Sequence, residues 1–225
     1  MFSIRTVLYA TLTVAILITC WNLVRESRSN IVRGNPKEIA DSLIPPISKG
    51  GHYLKPPNTP AEYIWLFAAY NNGRKEINVL VEKDAGIVRY RAFWLNYDSK
   101  LWCLDVNLSG AQWDTIMSIL ENEHALKLPN LVPRVSHAMT YRLKLRLRNE
   151  EHEACAYGIE YTDLFRTEQF YAKEWQRVVY GLLSFREKFP DGIRSADFVT
   201  DGMVDWNSAR KSDANLAEKL VDLPL

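Results

Sequence analysis

Thr140–Arg148 reads TYRLKLRLR, a strict alternation that only an extended chain can sort into two faces. Tyr141, Leu143, Leu145 and Leu147 fall on one side, and Arg142, Lys144, Arg146 and Arg148 on the other. The stretch is a half-buried strand, and the sheet that it implies has an apolar inner face. Side chains two positions apart are about 6.5 Å apart, so the four cations make a basic stripe roughly 20 Å long.

Working outward, Met139–Arg148 is followed by a polar turn near Glu150 and Glu151 and by a second strand over Glu153–Tyr161. That strand presents Ala154, Ala156 and Gly158 on one side, small enough to leave the basic stripe open if register brings them together. Upstream, four more strand-like runs occur: Tyr63–Tyr70, Glu76–Glu82, Ile87–Leu95 and Leu101–Leu108. They are separated by Asn71-Asn72-Gly73, Asp84-Ala85-Gly86 and Asp98-Ser99-Lys100, and the economical reading is an antiparallel meander. In Leu101–Leu108, Trp102, Leu104, Val106 and Leu108 share one side, and Cys103, Asp105 and Asn107 share the other.

Two helices interrupt the strands. Ser109 and Gln112 have the spacing of a capping box, and Trp113, Ile116, Met117 and Leu120 form one apolar stripe behind it. Pro129 and Pro133 close that element and its exit loop. A longer helix is predicted over Thr167–Phe189, with Tyr171, Trp175, Val178, Leu182, Phe185 and Phe189 on its buried stripe, ended by Pro190-Asp191-Gly192. Four strands, a helix, two strands and a helix make an α+β domain, an antiparallel sheet with two helices packed on one face, over residues 61–190.

This order of elements, with the helix of Trp113–Leu131, WDTIMSILENEHALKLPNL, running into a Leu-Pro exit, resembles the small bacterial domains typified by the emfourin protease inhibitors. The resemblance spans Ile77 to Lys188 and implies an α+β domain that acts by binding. Where those domains carry a glycine-rich motif in the first hairpin, this chain reads Lys83-Asp84-Ala85-Gly86, and no inhibitory residue is carried over.

Outside the domain the chain changes character. Thr6 to Val24 holds no charge and is flanked by Arg5 and Arg25, which meets the length of about 20 residues needed to cross a bilayer core. Tyr9 and Trp21 sit near its ends, where amphipathic rings favour the interface. Residues 1–25 are therefore expected to be a single-pass N-terminal membrane anchor. Two other fates stay open: cleavage near Ser27-Arg28-Ser29, and lipidation of Cys20 in the box Leu17-Ile18-Thr19-Cys20. The cations after the span favour a cytoplasmic domain, whereas an export-type leader places it extracytoplasmically, the reading preferred here. Residues 26–60 form a proline-rich linker with a short helical turn around Pro36 to Leu43. Residues 191–225 form a loosely ordered tail with a short helix over Asp213 to Val221.

The net charge of +1 on 225 residues gives no whole-chain pull toward nucleic acid, so nucleic acid is not an expected partner. The expected partners are the membrane, through Thr6–Val24, and either a protein or anionic lipid head groups, through Arg142, Lys144, Arg146 and Arg148. Glu150, Glu151, Glu153 and Glu160 stand nearby as neutralising partners for the same row. His52, His124, His137 and His152 lack metal-type spacing, and no Walker loop, dinucleotide fingerprint or G-x-S-x-G occurs, so no catalytic, metal or cofactor residue is assigned. Cys103 and Cys155 are the pair that an oxidising compartment would allow to bridge. Asn107-Leu108-Ser109 is a glycosylation sequon whose serine doubles as the helix cap. The reading that results is a membrane-anchored, non-catalytic binding domain. The alternatives are a hydrolase using Cys103 with His124 or His137, and a structural subunit of a membrane assembly marked by an exposed apolar patch.

Overall fold

The computed structural model describes residues 11, 13–21, 29–43, 54, 61–70, 76–95, 101–133, 138–161, 165, 168–195 and 210–211. Helix α1 (Pro36–Leu43) precedes strands β1 (Glu62–Tyr70), β2 (Glu76–Asp84), β3 (Ile87–Leu95) and β4 (Leu101–Leu108). Then come α2 (Gly110–Asn122), β5 (Met139–Leu147), β6 (Glu150–Tyr157), α3 (Gln169–Ser184) and the two-residue strands β7 (Arg194–Ser195) and β8 (Arg210–Lys211). The molecule is α+β, with an antiparallel sheet in the order β6-β5-β1-β2-β3-β4-β7-β8. The meander holds through β4. The next hairpin then pairs with β1, at the far edge, because α2 and its exit loop carry the chain back across the helix face.

One core fills the space between that face and the helices. Ile64, Leu66, Val79, Tyr90, Leu104, Leu143 and Leu145 from the strands meet Trp113, Ile116 and Leu120 of α2 and Trp175, Val178 and Leu182 of α3, all buried. Cross-layer hydrogen bonds fix the docking: the Tyr90 hydroxyl donates to the Leu182 carbonyl at 2.9 Å, and Trp175 Nε1 donates to the Pro129 carbonyl at 3.0 Å. The stripe expected on α3 shifts at both ends: Tyr171 is exposed and Phe189 only half-buried, while Ala172, Val179 and Leu183 are buried. α3 ends at Ser184, followed by a 3-10 turn over Phe185–Lys188.

Three boundaries depart from the sequence reading. The β5–β6 turn is Arg148-Asn149, both in the left-handed region with φ of 50° and 68°, as a two-residue hairpin with the right twist requires, while Glu150 and Glu151 lie in β6. The linker is not a free spacer over 29–43. Val32 N–H donates to the Asn130 carbonyl at 3.0 Å, Val132 N–H donates to the Asn30 carbonyl at 2.8 Å, and Ala40 of α1 is buried. Leu131 bridges both Ile31 and Ala156, so the arm and the exit loop together cover the outer edge of β6. The tail supplies β7 and β8 to the other end of the sheet, and its expected helix at Asp213–Val221 lies outside the described residues.

Of the expected membrane span, residues 11 and 13–21 are described, as helix with Val14, Ile16, Leu17, Ile18 and Trp21 all exposed. The Thr19 hydroxyl donates back to the Ala15 carbonyl at 2.9 Å, the bond that lets threonine sit in an apolar helix. Among the described residues no helix is long and apolar enough to cross a membrane.

Ser109 accepts the Gln112 N–H at 3.3 Å, and Gln112 Oε1 accepts the Ser109 N–H at 2.8 Å, which completes the capping box. Replacing Ser109 by Ala is expected to cost about 1 kcal/mol in urea unfolding, and Asn107→Gln, in the same sequon but outside the cap, less than about 0.5 kcal/mol.

Candidate functional site

The face of the sheet opposite α2 and α3 carries the chemistry that the core lacks. Register lays its side chains in rows that run across the strands. One row is Glu151, Arg146, Tyr63, Glu82, Arg89 and Asn107. The next is Glu153, Lys144, Trp65, Leu80, Arg91 and Asp105, and the third is Cys155, Arg142, Phe67, Asn78, Phe93 and Cys103. The central members, Tyr63, Trp65, Phe67, Leu80, Phe93 and Cys103, form a second apolar cluster, and Leu54 lies over it with its carbonyl accepting Trp65 Nε1–H at 2.6 Å.

Charged side chains bracket that cluster in pairs. Arg142 lies over the Trp65 ring with Cζ 5.3 Å from its centroid, and its Nε donates to Glu153 Oε1 at 2.6 Å. Arg146 repeats the arrangement over Tyr63, at 5.2 Å, with Glu151 as acceptor at 2.6 Å. On the far side of the cluster Arg91 pairs with Glu82, and Arg89 pairs with Asp105 through both carboxylate oxygens. The hydrogen bond to Asp105 raises the Arg89 pKa. Each guanidinium thus has a carboxylate and, at two positions, an aromatic face, a combination worth more than an exposed ion pair alone.

Of the four cations read from the sequence as a stripe, three share this face. Lys144 stands between Arg142 and Arg146 and makes no ion pair among the described residues. Arg148 leaves the row because its turn φ swings it to the helix side, where it pairs with Glu121 at 2.7 Å. The small residues expected beside the stripe are on the opposite face: Ala154 and Ala156 pair with Leu143 and Tyr141 in the core, and Cys155, Glu153 and Glu151 flank the cations instead. A shift of one residue in register exchanges the faces, which is why alternation alone could not place them.

Arg148 and His124, both with φ of 50°, rim a groove of about 270 Å³ floored by Met117, Leu120 and Leu147. His124 Nδ1 is 3.2 Å from Glu174 Oε1, a buried carboxylate of α3. Cys103 is on the other side of the sheet from His124, so these two are not brought together, and His137 and His52 lie outside the described residues. Cys103 and Cys155 sit in one row but on β4 and β6, five strand steps and roughly 24 Å apart, far beyond bridging distance. Burial pushes the Cys155 thiol up to about 12 and so away from nucleophilic use. Among the described residues no group of three or more His, Cys, Asp or Glu is placed to hold a metal ion.

The same face hides polar groups that sequence reading missed. Asn78 and Thr140 are wholly buried, and neither the Asn78 amide nor the Thr140 hydroxyl has a hydrogen-bond partner among the described residues. Glu76 flanks Ala69 opposite Thr140 and is 4 % exposed. Desolvation by burial pushes its carboxyl up to about 7. The only sequence signal was parity: positions 76 and 78 belong to the face opposite Ile77 and Val79. No protein-family model matches the chain, and no curated protein or solved structure matches it either.

A carboxyl raised in the folded state binds more protons there than in the unfolded chain between about pH 4.5 and 7. This contribution to stability is therefore expected to be fully present below that window and to be lost as pH rises through it, by at most about 3 to 4 kcal/mol. Glu76→Gln is expected to flatten this slope and to be more stable than the parent at pH 8, as read by urea unfolding across the range.

Proposed function

We propose that the chain is a non-catalytic binding protein, tethered to a membrane by its N-terminal segment and docking a protein partner through the face of the sheet opposite α2 and α3. The observation that carries this reading is the alternation of fixed charges about aromatic residues: Glu153 with Arg142 on Trp65, and Glu151 with Arg146 on Tyr63, with Lys144 between. The three cations and two carboxylates nearly cancel, so the face exerts little pull on a uniformly anionic bilayer. A mosaic of held charges instead selects a partner whose own charges alternate in register. Arg, Trp and Tyr are also the side chains that contribute most at protein interfaces.

The tether rests on the uncharged run Thr6–Val24 and on the exposed apolar side chains of residues 13–21, which in water would form a costly patch. In this reading the domain is extracytoplasmic and Cys20, exposed on that helix, is accessible for lipidation. A structural role in a membrane assembly is favoured by a different observation: Phe170 and Tyr171, in edge contact at 5.7 Å, are exposed at the start of α3. In that case the aromatic pair is the contact with a neighbouring subunit.

Carbonate extraction is expected to leave the full-length chain in the membrane pellet, with intact mass separating an uncut chain from a trimmed or acylated one. Release of uncut, unmodified protein into the supernatant would overturn the tether. For the docking face, exchanging the charges of one bracket by the double substitution Arg142→Glu with Glu153→Arg preserves the ion pair while inverting the pattern. A photo-crosslinker at position 144 is expected to give a discrete protein adduct in the parent, reduced at least about tenfold in the exchanged protein, the loss that two misplaced interfacial charges produce. An undiminished adduct would remove this face from binding.

A further inference from the structure

Arg186 sits in the 3-10 turn that ends α3 and is buried, 5 % exposed. Its guanidinium lies over the Trp94 ring, Cζ 5.5 Å from the centroid. Unlike Arg142 and Arg146 it makes no ion pair among the described residues, and its Nη1 has no hydrogen-bond partner there. The titratable groups that act on it are Tyr90, whose hydroxyl is committed to the Leu182 carbonyl, and the exposed Glu187. Burial accordingly pulls the Arg186 pKa down, though a guanidinium keeps its proton in a protein.

The Trp94 indole beneath it is a further donor, and the Trp102 indole adjoins Trp94 in the ladder. Trp94 on β3 and Trp102 on β4 are directly opposed in the ladder, are 0 % and 3 % exposed, and face the same core. Neither indole Nε1–H has a hydrogen-bond partner among the described residues. Tryptophan and arginine nitrogens donate and cannot accept, so these groups cannot satisfy one another. A buried donor left unmade is costly, and a buried unpaired charge more so; three together at one end of the sheet call for an acceptor that carries negative charge.

We propose that Arg186, Trp94 and Trp102 form a binding site for a carboxylate group. One guanidinium matches the single charge of a carboxylate, whereas a phosphate monoester brings close to two. The planar fork of arginine suits the two oxygens of a carboxylate, and the indole donors take up their remaining lone pairs. β4 is followed on that side by only the two-residue strands β7 and β8, so the site is toward the rim of the sheet rather than at its centre. The site is on the helix side of the sheet and does not depend on docking at the opposite face.

The test is a titration of the full chain in detergent, labelled with 15N at its indoles, with sodium acetate replacing sodium chloride at constant ionic strength. Two indole N–H signals, assigned to Trp94 and Trp102 by single Phe substitutions, are expected to move downfield and saturate while the other indoles stay put. Arg186→Met is expected to weaken binding by at least about tenfold, the loss of one charge-assisted hydrogen bond, and Arg186→Lys by less. A peptide with a free C-terminal carboxylate, compared with its amide, separates a polypeptide ligand from a small acid: tighter binding than acetate assigns the site to peptide, equal binding to small carboxylates. Absent or unsaturable shifts in the parent overturn the proposal, as does tighter binding of inorganic phosphate than of acetate. Unchanged binding in a folded Arg186→Met chain does so too; should that variant not fold, the parent and Arg186→Lys titrations decide.

Discussion

Tyr63–Ala69 is buried at every position, and the molecule is arranged around that requirement. Antiparallel sheets usually keep one face wet, but β1, flanked by β2 and β5, must be covered on both. On one side Ile64, Leu66 and Ala68 meet the helices, and α2 and α3 exist to close that layer. On the other, Tyr63, Trp65 and Phe67 form an aromatic spine, with Trp65 and Phe67 stacked at 9° and 6.2 Å between centroids. Leu54 lies over this spine, and the flanking strand β5 supplies long charged side chains that lie across it. Arg142 and Arg146 act here as apolar covers through their stems and as charges through their heads.

That division explains what was legible in the sequence. Alternation in β4 and β5 showed which residues face the helices, because period two is enforced locally by the backbone. The capping box of Ser109 and Gln112 was legible for the same reason: both partners lie within one turn. What alternation could not show was the neighbour. That β5 lies against β1, not β4, depends on how α2 and its exit loop pack, a long-range matter. Pairing Arg142 with Cys155 and Arg146 with Glu151, in place of the alanines, depends on a hairpin turn set at Arg148-Asn149 rather than at the more polar Glu150-Glu151. Asn149 was a usable signal, since asparagine tolerates φ above zero; arginine beside it gave no hint. In the arm the helix over Pro36–Leu43 was legible, but its docking was not, as proline content bears on regularity and not on docking.

The polar groups buried in that second face were invisible for a further reason. Composition and periodicity rank Glu76, Asn78 and Thr140 as surface residues, yet their strand parity sets them beside Phe67, Ala69 and Phe93. They lower the stability that a wholly apolar face would give, and burial raises Glu76 into the physiological range. A face built only to fold would carry Val or Thr with a satisfied hydroxyl at such positions. Retaining Glu and Asn there makes the spine sensitive to proton concentration without any histidine being involved.

The three buried or half-buried arginines that lie on aromatic rings differ in one respect. Arg142 over Trp65 and Arg146 over Tyr63 each have a carboxylate in the adjacent strand, Glu153 diagonal to Arg142 and Glu151 directly opposite Arg146. Arg186 over Trp94 is more deeply buried than either and has none. If stacking on an aromatic ring were sufficient compensation, the two outer arginines would need no glutamate, and the fold would not place one beside each. The ring therefore serves as a platform that orients the guanidinium, and the negative charge completes the site. At Arg142 and Arg146 the chain provides that charge itself; Arg186 makes no ion pair among the described residues, which leaves the place of that charge to a ligand.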